Sequence, residues 1–315
     1  KEKPHNYHLI DNEIQLHCFV EEMKKETLIA VDTEPTGLDV YRDRIVGISI
    51  SLKQADKHVY IPFGHLTGEK QLDEKLVFKL LTPALVDPVI KKVFHNAKYD
   101  IHMFIRHGVR IRGLYWDTQI AMSMLNENEP SKALKNLATK YGRHFGFEDK
   151  SATYEELFGR GGFENTPLGI GSIYAIKDTH LTLALQEWQE SCFNARPDLL
   201  DIRKYFMDVE MPLLDVVVDM EQTGFTLDME YVAELQESFS KDVADLAHEL
   251  KQYFGDINVN SPVQLSDLLY NQWNMQKHLP YGTKPSTDAK VLKKLAPFNH
   301  GIAVLLKYRE KTKLL

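Results

Sequence analysis

The sequence is poor in the features that most readily announce a function. It has two cysteines, Cys18 and Cys192, among 315 residues. They are too few for a zinc cluster, and reduced intracellular thiols are the simple reading. No apolar run approaches the roughly 20 residues that cross a bilayer, so no membrane partner is expected. No signal peptide is visible, although the chain begins at Lys1 rather than Met. There is no internal repeat and no low-complexity tract. There is no phosphate-binding loop either: the stretch from Gly159 to Gly162 lacks the strand–loop–helix setting and the closing Lys-Ser/Thr. Nor is positive charge in excess. Lys and Arg number 38 against 45 Asp and Glu, a net charge of −7. That excludes a protein that coats nucleic acid through charge alone. It leaves room for an enzyme that binds a strand locally and uses cations to offset its own acids.

What is present is an ordinary globular composition, 43% hydrophobic and 26% charged, in a chain long enough for one large or two ordinary domains. The pattern changes near residue 200. Before it, strands and helices alternate. Leu28-Ile29-Ala30-Val31 is a short apolar run that reads as a buried strand. Ile45 to Leu52 alternates apolar and small polar residues, which predicts a strand with one buried face. Short strands are expected at Val59-Tyr60-Ile61 and Lys92-Val93-Phe94, and helices from Ala97, Thr118 and Ser172. Strands first and helices later predict a mixed α/β sheet with helices packed on it. After about Leu199 the pattern is largely helical. One amphipathic segment runs from Ile202 to Gln222 and stops at Gly224; another runs from Met229 to Phe254 and stops at Gly255. The expected division is therefore residues 1–198 and 199–315.

Three acid-bearing pieces stand out. Asp32 and Glu34 follow the apolar run, and side chains two apart on a strand share a face. Asp100 lies one turn into the helix expected from Ala97. Tyr174 and Asp178, four apart in a helical segment, share a helix face. Carboxylates suit hard divalent cations. Crowded acids also repel one another unless a cation neutralises them. Taken singly, each piece has a structural explanation: Asp-x-Glu as a turn or helix cap, Asp100 as a surface acid, Tyr174 as a half-buried core ring. Their order is what gives them meaning.

That order resembles the DEDD superfamily of 3′–5′ exonucleases, in the branch with Tyr in its third motif. The match is closest to the proofreading domain of bacterial and phage family A DNA polymerases. Val31-Asp32-Thr33-Glu34-Pro35-Thr36-Gly37-Leu38-Asp39 resembles the first motif, His95-Asn96-Ala97-Lys98-Tyr99-Asp100 the second, and Tyr174 to Asp178 with the following Thr179 to Leu183 the third. Trp116-Asp117-Thr118 and the run from Tyr154 through Arg160 to Gly161 are similar to further family segments. Past residue 199, Asn258 to Leu265, Ser286-Thr287-Asp288 and Tyr308 to Leu314 resemble the polymerase thumb and the segment before the palm.

The resemblance implies a ribonuclease H-like mixed sheet flanked by helices, followed by a smaller helical thumb-like region. It implies hydrolysis at DNA 3′ ends with two divalent metal ions, Mg²⁺ or Mn²⁺. Asp32, Glu34 and Asp178 would hold one metal, Asp32 would bridge to the second, and Asp100 would act on that one through water. Tyr174 would orient the attacking water. Leu38, Asn96, Tyr99 and Tyr154 would hold the terminal nucleotides, for which a core role is the plain alternative at Leu38, Tyr99 and Tyr154. Asn260, Ser261, Ser286 and Thr287 at helix starts, with Lys290, would contact duplex DNA. Ser261-Pro262-Val263-Gln264 also reads simply as a capping box.

Two motif positions depart from the family: Pro35 replaces the usual Thr, removing a hydroxyl and a backbone N–H, and His95 replaces the usual Gln. The palm and fingers motifs are missing. No polymerase activity is therefore expected from this chain alone, and palm and fingers are expected as partners, in the same longer chain or in a separate subunit. The expected location is the cytoplasm of a bacterial or phage-infected cell. Two rivals share the acid motifs: an RNA-trimming exonuclease of the RNase D type, and an exonuclease-fold scaffold whose site has decayed. The thumb-like segment argues against the first, and the full set of four acids with the Tyr against the second.

Overall fold

The computed structural model describes residues 4–147, 153–159 and 161–315; Arg160 of the 154–161 family segment lies outside them. The chain forms two compact units, Lys1–Gly224 and Phe225–Leu315. Among the described residues no helix is long and apolar enough to cross a membrane.

The first unit is built on a six-stranded mixed sheet. Its strands are β1 (Tyr7–Leu9), β2 (Leu28–Pro35), β3 (Ile45–Leu52), β4 (Lys57–Pro62), β5 (Lys91–Phe94) and β6 (Leu114–Asp117), in the spatial order β1-β4-β3-β2-β5-β6. The β2–β3 and β3–β4 pairs are antiparallel, and β1–β4, β2–β5 and β5–β6 are parallel. The helices are α1 (Glu13–Met23), α2 (Glu74–Leu85), α3 (Ala97–Arg106), α4 (Thr118–Leu125), α5 (Leu134–Tyr141), α6 (Tyr154–Phe158), α7 (Leu168–Ala195), α8 (Leu200–Tyr205) and α9 (Met211–Thr223), with one π-helical turn, Phe206–Glu210, between the last two. This is the mixed sheet with flanking helices that the sequence implies.

The alternation in β3 has a different outcome from the one expected. Both faces are buried, including Ser49 and Ser51. The pairing explains why. Ser51 lies opposite Ala30, Ser49 opposite Asp32 and Gly47 opposite Glu34, so small residues and the two acids line one face. The 28-residue α7 packs on that face, and Thr179 and the Ser51 hydroxyl hydrogen-bond at 2.8 Å. The small polar residues make room for a helix rather than for solvent. Val31, Thr33, Ile48 and Ile50 line the opposite face.

The unit boundary also differs from the one at residue 199. Leu199, Phe206, Met211, Leu214 and Val218 belong to the same apolar core as the sheet. Polar contacts hold α9 to α3: Glu221 accepts from Lys98 and pairs with His102, each at 2.6 Å. The periodicity of 202–222 correctly showed an apolar face. It could not show which core that face enters. Gly224, at φ 60°, ends the segment and the unit.

The second unit is helical: α10 (Met229–Phe254), α11 (Pro262–Ser266) with a π-helical extension, α12 (Ala289–Leu295) and α13 (His300–Leu314). Its own core joins Leu250, Phe254, Leu269, Leu292, Ile302 and Leu305.

Candidate active site

Asp32 and Glu34 stand at the end of β2, on the face that α7 covers, and α7 brings Tyr174 and Asp178 to them. Carboxylate oxygens of Asp32, Glu34 and Asp178 lie within 4.8 Å of one another. The fold thus brings these three carboxylates together in one oxygen-rich group. Burial raises Asp32 to about 7, against the opposing pull of the Lys135 charge. Burial, and then the charge of Asp32, holds Glu34 well above the ordinary carboxylate range. Such a cluster favours either protons or a cation.

Asp100 reaches this region from the other face. It is 3% exposed, and its Oδ1 accepts from the Thr33 backbone N–H at 2.8 Å and from the Thr33 hydroxyl at 2.7 Å. Thr33 points away from Asp32 and Glu34, so Asp100 is tied to the strand between them without joining the three-acid cluster. Its carboxyl is raised by burial and by Asp32, with the Thr33 hydrogen bonds opposing.

The position of α3 depends on Asp117, which the sequence showed only as part of a family segment. The buried Asp117 carboxylate caps α4, accepting from Gln119 and Ile120 backbone N–H groups at 2.8 and 3.1 Å. It also accepts from the backbone of Ala97 at 2.7 Å, at the start of α3. Asn96 sits there in the left-handed region at φ 67°, a conformation Asn tolerates better than most residues. One carboxylate thus fixes two helix starts, and with them Asp100.

Tyr174 is half-buried against Tyr154, Phe158 and Phe163, with ring centroids 5.9 to 6.1 Å away. Burial, and then the charges of Glu34 and Asp32, pushes its phenol up. It therefore remains protonated at neutral pH, as a hydrogen-bond donor must. Among the residues expected at the terminal nucleotide, Leu38 is 88% exposed, which excludes the core alternative. The Tyr99 hydroxyl donates to the Gly37 carbonyl at 2.7 Å, tying it to the loop that carries Leu38. The Tyr154 hydroxyl lies 3.1 Å from that of Thr166. Pro35 falls at the β2–β3 irregularity, where the ladder tolerates a missing N–H. His95 hydrogen-bonds the Thr118 hydroxyl at 2.8 Å, and burial lowers it to about 4, so it is neutral.

One residue at the site escaped the sequence reading altogether. Lys135, near the start of α5, is 11% exposed, and its ammonium contacts the Asp178 carboxylate. It also lies 4.4 Å from the centroid of the Tyr174 ring. Burial lowers it to about 8, while the charges of Glu34 and Asp32 oppose that fall. The sequence of α5 carries no clear signal for it, since Lys140 lies as near to the buried Leu137 and Ala138 along the chain and is exposed.

In the second unit, Ser261 caps α11, its hydroxyl accepting from the Gln264 backbone at 3.4 Å. The capping box does not close, because the Gln264 side chain accepts from the Asn258 backbone instead, at 2.8 Å. Asn260 donates its backbone N–H to the Asn258 side chain, and the Ser286 hydroxyl accepts from the Asp288 backbone. The Thr287 carbonyl accepts from Arg309 at 2.7 Å, and Lys290 is exposed.

Residues 7–188 match the model of a 3′–5′ exonuclease family, and residues 229–315 match DNA polymerase family A. The chain is 34% identical to DNA polymerase I of Chloroflexus aurantiacus, over 94% of this chain and 31% of that protein. It is 31% identical to DNA polymerase I of Borreliella burgdorferi, over 98% of this chain and 33% of that protein. It is also 28% identical to DNA polymerase DpoZ of Salmonella phage PMBT28, over 90% of this chain and 46% of that protein. The chain thus spans about a third of the length of the bacterial relatives. In fold it is similar to the polymerase domain of M. smegmatis Pol1 solved with DNA primer–template and dNTP, with a TM-score of 0.67 at 21% identity, covering 97% of this chain and 48% of that one. The exonuclease match runs through Asp32, Glu34, Asp100, Tyr174 and Asp178 and takes in more than half of the sequence, so the chain belongs to this 3′–5′ exonuclease family.

Proposed function

We propose that this chain removes nucleotides from DNA 3′ ends by metal-dependent hydrolysis, as the proofreading part of a family A DNA polymerase working in the cytoplasm of a bacterial or phage-infected cell. The observation that carries the reading is the three-acid cluster, a buried Glu34 with the partly buried Asp32 and Asp178, beside a protonated Tyr174. The donors fit a hard divalent cation: all are carboxylate oxygens, and the cluster already draws in the ammonium of Lys135. Two such cations, Mg²⁺ or Mn²⁺, would supply an activated water and neutralise the leaving 3′ oxygen.

The chain's own groups do the rest. Asp32, Glu34 and Asp178 hold cations, and Asp100 stays on Thr33 and acts through solvent. Tyr174 donates its hydroxyl proton to orient the water; a phenol raised by burial is a poor general base at neutral pH. The exposed Leu38 wedges against the end bases, with Tyr99, Asn96 and Tyr154 around the terminal nucleotide. Such contacts tolerate any base, so discrimination comes from how readily a mispaired end frays. The second unit serves as a thumb that grips the duplex backbone through Asn260, Ser261, Ser286, Thr287 and Lys290, alongside a palm and fingers in the same longer chain or a partner. Digestion of matched labelled DNA and RNA single strands in Mg²⁺ tests the substrate class. Monophosphate release from DNA at least tenfold faster than from RNA is expected; faster RNA trimming would replace this reading with the RNase D one.

A further inference from the structure

The acid cluster holds a cation of its own making. α5 is anchored by Leu137, which packs in one apolar cluster with Met122 and Leu185, and this fixes the turn from which Lys135 emerges. The Lys135 and Asp178 side chains are only 11% and 13% exposed, and they touch. The ammonium lies over the Tyr174 ring and close enough to Asp32 and Glu34 for their charges to act on it. A surface ion pair would leave both partners in solvent; here the lysine is largely withdrawn from it, against Asp178 and the Tyr174 ring.

We propose that Lys135 is a built-in counter-ion that occupies the acid cluster without metal and must be displaced when a divalent cation binds. Crowded carboxylates repel one another, and a single ammonium among them relieves part of that repulsion. Lysine suits the role because it is a compact point charge on a flexible four-carbon stem. It satisfies the acids when they are alone and withdraws without disturbing α5. A divalent cation seeks the same oxygens, and two positive charges a few ångströms apart in a buried site disfavour each other. Metal affinity is therefore set by a competition, and the metal-free protein keeps its fold.

This inference rests on the metal-site reading above, and the test separates the two. Mn²⁺ binding is measured calorimetrically on the full chain for wild type, Lys135→Gln and Lys135→Arg. Lys135→Gln is expected to bind Mn²⁺ at least tenfold tighter than wild type, and Lys135→Arg, which keeps the charge, no tighter. In EDTA, Lys135→Gln should melt below wild type, and the double variant Lys135→Gln/Asp178→Asn should melt closer to it, because one unpaired charge has been removed. Absence of Mn²⁺ binding in wild type would overturn the metal reading itself. Wild-type binding with equal or weaker affinity in Lys135→Gln would overturn the competition alone. If Lys135→Gln fails to fold without metal, the double variant decides: recovery of a cooperative melt supports the counter-ion, and continued failure to fold overturns it.

Discussion

The two units treat their polar residues in opposite ways. In the sheet unit, carboxylates that water would solvate well are brought together and wholly or partly buried: Asp32, Glu34 and Asp178 within 4.8 Å of one another, and Asp100 behind them on Thr33. Burial raises Asp32, Glu34 and Asp100 alike, and folding alone gives no reason for such an arrangement. In the helical unit the polar residues of interest are satisfied locally. Ser261 and Ser286 accept from backbone N–H groups two or three residues on, and Asn258 organises the turn between them and α10. Their helices are short as well, five residues in α11 and seven in α12. A residue that lacks a structural reason points to chemistry; one that already has a structural task does so far less.

The largest expected effect separates the units most sharply. Asp32→Asn with Glu34→Gln should reduce 3′-end cleavage by at least about a thousandfold, because on the proposed function the pair would hold the metal that supplies the nucleophile. It should not lower the melting temperature in EDTA by more than a degree or two, since the amides resemble the protonated acids that burial favours. A large loss of stability would return these acids to a structural role. Tyr174→Phe keeps the packing against Tyr154, Phe158 and Phe163 and removes only the hydroxyl. A drop of about ten- to a hundredfold in kcat with little change in KM is expected; an unchanged kcat would make Tyr174 a core residue.

The thumb assignment is tested by deleting residues from Phe225 onward, at the unit boundary rather than at 199, where the cut would strip Phe206, Met211, Leu214 and Val218 from the sheet core. The shortened chain should still cleave short single strands. It should bind primer–template more weakly, with a shallower salt dependence, because each lost phosphate contact removes a released counterion. Unchanged duplex affinity would remove the thumb from the account.

Much of the fold was legible where its constraints are local. The run 28–31, the strand at 45–52 and the helix stops at Gly224 and Gly255 follow from period and from glycine at positive φ. The acids were legible from their order. What was not legible depends on which surfaces meet. Ser49 and Ser51 read as a solvent face and are covered by α7, because nothing in β3 itself says that a helix lies over it. The segment 199–224 showed its apolar face but not its destination. Lys135 and Asp178 are far apart in sequence, and only the packing of α5 against α7 brings them together.

The smallest expected effects sharpen details. Leu38→Ala should weaken binding of a frayed 3′ end severalfold while moving stability by less than about 0.5 kcal/mol, as for other exposed side chains. His95 bears on pH. Burial lowers its folded pKa to about 4 from 6.5, so its contribution to stability is full above about 6.5 and is lost as pH falls towards 4. His95→Gln should therefore lose less stability than wild type between pH 6.5 and 4, by up to about 3 kcal/mol. Parallel pH–stability curves for the two proteins would show that the ring is not held neutral.

The most direct test of the central claim is release of nucleoside monophosphates from a primer–template with a mispaired 3′ end. It is followed with Mg²⁺, with excess EDTA, and with Asp32→Asn in Mg²⁺. Steady release is expected only from the wild-type chain in Mg²⁺, starting at the mispaired end. Equal release in EDTA, or by the Asp32→Asn protein, would contradict a metal-dependent acid site.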